Sequence, residues 1–470
     1  MRSYVLGAFS LVLLAGCAAG DEDAESSEDM LVSSAARPFD VAQVAATKTF
    51  RAPSGRTEVC VIPKHLSEDG FTKKDAKKEA KLCKVDLDAA PGADVLAGGL
   101  APKANSTNPA TDVHEVTAEV PREVVESFAE ANARDRKAKK IGRIKSSLDA
   151  RYDRTASYAP SLVGYYATSR LLGNIAEVTP AVWRTIDVAR HAKVAENGKK
   201  LTVPGSQIVK NLWATFLTAD NGGQKGDLTY TKDGGQVYGA FIPSVSGDAK
   251  DKAIDTLAGL TASPRAKRLV DPRPVSADVG TDLKSAVTTL VPMEGVVEML
   301  VLDSIMLQAD RLSGDNVSYV PYVYYPGANG SVERMSKDDF DDMDAAARPA
   351  GTVAVNKLYL NDVDAGLMSK NADSMQAGTQ FGLLKKVAHI DPDLYGRVQA
   401  LAKRAKDPSF QAFASTEWRY TDRDWVRYST MIGAVATLLK DRCTSGALLQ
   451  DLNLQKHMTK SSPAARTACE

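Results

Sequence analysis

The spacing of apolar residues changes about halfway along the chain. The first half has stretches in which apolar and polar residues alternate, as in β-strands, whereas the second half mostly repeats apolar residues at helical spacing. The predicted strands are 58–62, 178–188 and the two arms of a hairpin over 228–242, which turns at Asp233 and Gly234. The predicted helices are 72–84, 121–140, 161–172, 249–260, 295–307, 381–389, 392–404 and 423–441, and 89–108 has the composition of a linker. A strand-containing half followed by a helical half describes an α+β protein with two lobes.

The N-terminus has the pattern of an exported protein. Arg2 precedes a short apolar stretch, 4–14, and Leu-Ala-Gly stands directly before Cys17, which resembles the cleavage site of bacterial lipoproteins. We therefore expect a signal peptide over 1–16 and a lipid-modified Cys17, carrying acyl chains such as palmitate, that anchors the chain to a membrane. The alternative is that Cys17 is an ordinary buried thiol.

The residues after Cys17 predict a location and a tether. Asp does not follow Cys17 directly, which by resemblance to the sorting rules of lipoproteins favours the outer membrane of the cell envelope. Residues 21–29 are acidic and contain almost nothing apolar to bury, so they repel one another. We expect 17–45 to be a disordered tether.

Composition limits the function classes. The chain has 470 residues, of which 44% are hydrophobic and 25% charged, as in soluble globular proteins with one large or two ordinary cores. Lys+Arg and Asp+Glu both total 59, so no bulk positive charge attracts a phosphate backbone, and we expect no nucleic-acid partner. Beyond the N-terminus, no apolar stretch looks long enough to span a bilayer.

Four cysteines remain after Cys17, and they form two pairs that are local in sequence. In an oxidising compartment this arrangement predicts the disulfides Cys60–Cys83 and Cys443–Cys469.

Two acidic segments carry the candidate chemistry. In 297–316, an apolar helix runs directly into Asp310, Arg311, Asp315 and Asn316. Phosphoryl transfer needs a carboxylate that orients the attacking hydroxyl, oxygen ligands for divalent cations, and a cation on the nucleotide phosphates. This cluster contains the first two of these.

The second acidic segment is 357–367. An apolar strand ends there in Asp362 and Asp364, and the chain then turns at Gly366. Each cluster also has a purely structural interpretation, because Asp residues before Gly often serve as helix caps or tight turns.

Three segments resemble atypical kinases of the secretory pathway, related to the Golgi casein kinase. The run LDSIMLQADRLSGDN resembles their catalytic loop, and NDVDAGL resembles the metal-binding turn that replaces Asp-Phe-Gly in those enzymes. Upstream, GYYATSRLLGNIAEVTPAVWRTID resembles their N-lobe helix and the strand after it. The resemblance covers roughly 142–440 and implies a two-lobed, protein-kinase-like fold.

The resemblance also implies roles for individual residues. Asp310 would be the catalytic carboxylate, and Arg311 would hold the catalytic loop through charge-assisted hydrogen bonds. The metal ligands would come from Asp362, Asp364, Asn316 and Asp315. The implied cofactors are Mg²⁺ or Mn²⁺ with ATP.

Two departures weaken the expectation of activity. The family helix carries a Glu that pairs with the phosphate-binding Lys, and Leu162 stands at that position here. The candidate for the Lys is Lys145, but the segment before it looks helical and basic rather than glycine-rich, which favours an ordinary surface lysine. ATP is also made in the cytoplasm, away from the expected location.

The expected domains are a signal peptide (1–16), a tether (17–45), a disulfide-containing extension (46–115), an N-lobe (116–245) and a helical C-lobe (246–470). One hypothesis is a metal-dependent phosphotransferase acting on a protein or glycan outside the cytoplasm. A second is a catalytically inactive, pseudokinase-like lipoprotein that binds a protein or glycan without a cofactor. A third keeps only a structural surface lipoprotein, and would hold if Asp310 and Asp362 lay far apart.

Overall fold

The fold is taken from a computed structural model of the chain. It describes residues 38–66, 70–92, 94–104, 108–129, 138–147, 157–202, 207–245, 249–312, 316–367, 377–459 and 469. The lipidation site predicted at Cys17 and the predicted metal ligand Asp315 lie outside these ranges.

The first half of the chain builds a large sheet. Its strands are β1 (Lys48–Arg51), β2 (Thr57–Val61), β3 (Val85–Asp86), β4 (Leu96–Pro102), β5 (Thr111–Glu115), β6 (Lys140–Ser146), β7 (Val182–Asp187) and β8 (Gln236–Pro243). They lie in the order β1-β2-β7-β8-β6-β5-β4-β3, and every neighbouring pair is antiparallel except β3 and β4. The hairpin predicted around Asp233 and Gly234 reduces to a single bridge between Tyr230 and Val237 of β8.

The helices are mostly in the second half. They are α1 (Lys73–Leu82), α2 (Arg122–Val125), α3 (Ala159–Leu171), α4 (Val188–Lys199), α5 (Gln207–Asp220), α6 (Leu257–Ala262), α7 (Pro264–Leu269), α8 (Leu283–Ile305), α9 (Lys337–Asp341), α10 (Ala377–Leu384), α11 (Pro392–Arg404), α12 (Pro408–Glu417), α13 (Asp422–Thr444) and α14 (Leu454–Met458). The α+β class is therefore confirmed.

A second, smaller sheet lies in the helical half. It consists of β9 (Ala249–Lys250), β10 (Val317–Pro326), β11 (Val332–Ser336) and β12 (Val353–Leu360), with β10 between β11 and β12. Helix α8 packs on β12, where Gly295 lies so close to Leu358 that a Cβ would stand 3.1 Å from the leucine side chain. The sheet places the end of β12 beside the end of α8.

Two apolar cores hold these layers together. The larger core joins α3, α8 and the C-terminal helices, and α3 is buried on nearly all sides rather than on one face. The smaller core lies between the large sheet and helices α4 and α5, around Trp213 and Phe216. The sheet therefore has an apolar face toward α4 and α5, and its opposite face is turned toward α3 and the second sheet.

Helix α8 corrects one expectation from the sequence. By length and composition it could cross a membrane, contrary to the expectation that no internal stretch is long enough. However, 72% of its apolar window is buried inside the protein. It is the central helix of the larger core.

Both predicted disulfides are confirmed. Cys60 of β2 is bonded to Cys83 at the end of α1, with 5.4 Å between the Cα atoms, and Cys443 of α13 is bonded to Cys469, with 5.7 Å. The first bond fixes α1 to the large sheet, and the second fixes the C-terminal segment to α13.

Several boundaries differ from those expected. Of the predicted helix 121–140, the described part is helical over α2 and again at Phe128 and Ala129, and Lys140 begins β6. The predicted helix 249–260 divides into β9 and the first part of α6, and the predicted linker contains β4. The boundary between 115 and 116 cuts the large sheet, because β5 pairs with β6. Phe39 is fully buried, so the folded body begins within the predicted tether.

Candidate functional site

The charged face of the large sheet follows from strand alternation. Residues two apart on a strand share a face, and Leu100, Val113 and Ile144 all belong to the apolar core on one side. The register pairs Ala101 with Asp112 and Asp112 with Arg143, so the opposite face carries Asp112, Arg143 and Lys145. Every second residue of β6 therefore faces this charged surface, which explains why the strand is basic in sequence.

Lys145 lies at the centre of this surface. Its Nζ donates to Asp362 Oδ1 and, at 2.6 Å, to Asp364 Oδ1. The interpretation of Lys145 as a surface lysine is wrong, since only 6% of its side chain is exposed. Burial lowers the pKa of the ammonium, but the two carboxylates outweigh burial, and the pKa of Lys145 is raised.

The two carboxylates differ in access. The side chain of Asp364 is 6% exposed, and its second oxygen accepts a hydrogen bond from the Ser157 hydroxyl. Asp362 keeps 31% of its side chain exposed. Lys145 is the main cause that holds the pKa of Asp362 far below its ordinary value, with Lys103 adding to it. Asp362 is therefore the carboxylate that an incoming ligand can reach.

Asp362 has a strained backbone. Its φ is +49°, in the left-handed region that residues other than glycine seldom adopt. The amide N–H of Asp362 donates to Asn361 Oδ1 at 2.9 Å, which stabilises this turn at the end of β12. Strain of this kind persists only where the surrounding structure fixes it.

Arg311 joins the two acidic segments. Its guanidinium pairs with Asp303 of α8, with Nε to Oδ2 at 2.8 Å, and neither side chain is exposed. Its Nη1 also donates to the carbonyls of Asn316, at 2.7 Å, and Asn361, at 2.5 Å. These contacts fit the loop-holding role that the resemblance implies for Arg311.

Gln308 makes the second connection and was missed by sequence reasoning. Its Nε2 donates to the Asp362 carbonyl at 3.2 Å, and its Oε1 accepts from the Asp310 amide at 3.2 Å. Gln380 of α10 donates to the Gln308 carbonyl at 2.9 Å. Gln308 thus joins the backbones of Asp310 and Asp362, so the two acidic segments lie next to one another.

Asp310 and Asn316 face one another in the loop after α8. Asn316 Nδ2 donates to the Asp310 carbonyl at 2.8 Å and to Asp310 Oδ2 at 3.1 Å. Asn316 is nearly buried, whereas Asp310 is half-buried. Asp310, Asn316 and Asp362 are all oxygen donors of the kind that Mg²⁺ and Mn²⁺ prefer. Within the described ranges, however, no three His, Cys, Asp or Glu side chains form a metal-binding group.

Helix α3 supplies no carboxylate to Lys145. Leu162 is buried in the larger core, and Ser161 of the same helix donates instead to the Val363 carbonyl at 2.7 Å. The negative charge that neutralises the Lys145 ammonium comes from Asp362 and Asp364.

Lys103 was also missed by sequence reasoning, because it lies in the stretch that looked like a linker. It follows β4 by one residue, and its amide continues the ladder to the Ala110 carbonyl at 2.8 Å. By alternation from Ala101 it lies on the charged face of the sheet.

Comparison with known proteins gives no match in sequence. No protein family matches the chain, and no curated protein is similar to it in sequence.

Proposed function

We propose that this protein is an exported, lipid-anchored phosphotransferase with a protein-kinase-like arrangement of its site. The observation that carries the proposal is the buried Lys145 of the large sheet, paired with Asp362 at the end of β12 and connected through Gln308 to Asp310. In protein kinases, a strand lysine, a metal-binding aspartate after a strand, and a catalytic-loop Asp and Asn are brought together in the same way.

Each residue has a role in this proposal. Asp310 accepts the proton of an acceptor hydroxyl, whose oxygen bonds to the γ-phosphorus of ATP while the bond to the bridging oxygen breaks and ADP leaves. Asp362 and Asn316 would hold the divalent cation, with Asp315 a further oxygen donor. A bound Mg²⁺ or Mn²⁺ would neutralise the charge on the phosphates.

Lys145 has a second task beyond binding phosphate. In the ligand-free protein, its ammonium holds Asp362 and Asp364 together. The phosphate oxygens of a nucleotide would compete for the ammonium and leave the more exposed Asp362 to a cation. The strained turn at Asp362 holds its carboxylate beside Lys145.

The proposed location comes from the sequence alone. An acylated Cys17 would hold the body on the outer membrane, facing a protein or glycan acceptor. ATP would have to be supplied there by export or leakage, because it is made in the cytoplasm.

One observation favours the catalytically inactive alternative. Lys145 has no acidic partner from α3, and both carboxylates that would serve a cation are already paired with it. A protein that uses this network only for stability would bind its protein or glycan partner without nucleotide.

Thermal unfolding of the mature protein with Mn²⁺ and ATP tests the proposal. Ligand at 100 times its Kd adds about 2.7 kcal/mol to the free energy of unfolding, so the melting temperature should rise for the wild type and not for Asp362→Asn. Asp341→Asn, an exposed carboxylate on α9, is the matched control and should respond as the wild type does. Absence of a shift with both ATP and GTP would leave the inactive alternative.

A further inference from the structure

Lys103 differs from the other cations of the charged face. Lys140 and Arg143 both pair with Asp112, at 2.8 and 2.7 Å, and Lys145 pairs with Asp362 and Asp364. Among the residues that the structure describes, none forms an ion pair with Lys103. Within the described part of the chain, the positive charge of Lys103 is therefore not neutralised by a salt bridge.

Lys103 is half-buried, and its surroundings are charged. Arg143 and Lys145 of β6 repel its ammonium, while Asp362 and Asp112 attract it. Burial, followed by the repulsion from Arg143, lowers the pKa of Lys103 to about 7. A lysine kept in this state destabilises the protein unless something else compensates it.

We propose that Lys103 is a phosphate-binding residue of this site, and that together with Lys145 it holds a chain of phosphoryl groups against the large sheet. The two ammonium groups lie on one face, on β6 and just past β4, with the exposed side of Asp362 opposite them. Arg143 is a third cation on this face. Positive charge on several side chains fits a polyphosphate better than a carboxylate ligand, because a polyphosphate offers several charged oxygens. The inference rests on the proposed function for the identity of this anion.

Binding should be coupled to protonation of Lys103. A phosphate oxygen beside the ammonium favours its charged form, so the pKa of Lys103 rises when the ligand binds and a proton is taken up near neutral pH. The other groups that face Lys103 are Arg143, Lys145, Asp112 and Asp362. Their pKa shifts, in the directions given by their ion pairs, keep them charged from pH 7 to 9. Tripolyphosphate gains negative charge over the same range, which by itself favours binding at pH 9, so a loss of affinity at pH 9 must come from the protein. Within this range Lys103 is the group of the cluster that titrates.

The test is calorimetric titration of the mature protein with inorganic tripolyphosphate, without metal, at pH 7 and pH 9. At pH 7, Lys103→Met should raise the Kd about tenfold or more, the effect of one charge-assisted hydrogen bond. The wild type should bind about tenfold more weakly at pH 9 than at pH 7. Lys103→Arg stays charged, so it should show no loss of affinity from pH 7 to pH 9. Lys440→Met, an exposed position on α13, is the control for loss of a lysine.

The outcomes separate this inference from the proposed function. Equal affinity of Lys103→Met and the wild type, or the same pH trend in Lys103→Arg, would overturn the inference even if the protein transfers phosphate from Mn²⁺-ATP. Tripolyphosphate binding that requires Lys103, without any turnover of Mn²⁺-ATP, supports the inference and rejects the phosphotransferase. If neither ligand binds, both are wrong.

Discussion

Arg311 and Asp303 form an ion pair from which solvent is excluded, and the same guanidinium reaches the backbone carbonyls of both acidic segments. Nε of Arg311 lies 2.8 Å from Asp303 Oδ2, and Nη2 lies 3.1 Å from Oδ1. Burial lowers the pKa of Arg311, but Asp303 outweighs burial and raises it. A fully paired, permanently charged group therefore fixes the distance between the loop after α8 and the end of β12.

Asp303→Asn should cost about 3–5 kcal/mol of unfolding free energy, because it leaves the Arg311 charge buried without a counterion. Urea unfolding measures this loss. Arg273→Gln, which removes an exposed ion pair with Asp271, should cost much less. Equal losses of unfolding free energy in the two variants would show that the buried pair stabilises the protein no more than the exposed pair.

The network around Lys145 predicts a pH-dependent loss of stability. The pKa of Asp362 is depressed in the folded protein, so its contribution is present above the ordinary Asp pKa of about 3.9 and is lost as the pH falls below it. Lys145→Met removes the cause of that depression and should cost about 3 kcal/mol at pH 7. The difference from the wild type should shrink toward pH 3.

Urea unfolding of both proteins at pH 7 and pH 3.5 checks this prediction. Lys200→Met is the matched control, because its pair with Glu196 is half exposed on both sides. A Lys145→Met deficit that is the same at both pH values would contradict the assignment.

Glu294 of α8 predicts a pH effect of the opposite sign. Burial, followed by repulsion from Glu298 and Asp391, raises its pKa to about 8, while the Leu454 amide donates to its Oε1 at 2.9 Å. The stability that it contributes is complete below the unfolded carboxyl pKa and is lost as the pH rises toward 8. Glu294→Gln keeps the acceptor oxygen and removes the charge.

Melting temperatures between pH 5 and pH 9 test this effect. The wild type should lose about 2–4 °C more than Glu294→Gln over this range. If the melting temperatures of the two proteins changed in parallel with pH, Glu294 would not titrate in the folded protein between pH 5 and pH 9.

Local rules were enough for some elements. Helix α11 has the predicted bounds, because Asp391 caps it, Pro392 occupies its first turn, and Leu394, Val398 and Leu401 repeat at helical spacing. Helix α13 begins with a capping box between Thr421 and Asp424. The two disulfides could likewise be predicted, from the spacing of the four cysteines along the chain and the oxidising compartment expected for an exported protein.

Long-range contacts decided the rest. Lys145 of β6 pairs with Asp362 and Asp364, which lie more than 200 residues away in the sequence. No local sequence pattern contains both partners, so the pairing could not be predicted. Strand β4 looks like a linker because a Cβ at Gly98 or Gly99 would come within 2.8 Å of Val85 or 2.7 Å of Val125. For the same reason, Lys103 and Gln308 could not be recognised as parts of the site.

Transfer of the γ-phosphate of ATP is the most direct test of the central claim, that the segments bearing Asp310 and Asp362 act as one catalytic site with Lys145. Phosphate transfer or release from γ-labelled ATP with Mn²⁺ is measured for the wild type, Asp310→Asn, Asp362→Asn and the exposed control Asp341→Asn. The account predicts turnover by the wild type and the control, with a loss of about 100-fold or more in both site variants. Turnover that survives in Asp362→Asn, or no turnover by the folded wild type, would contradict it.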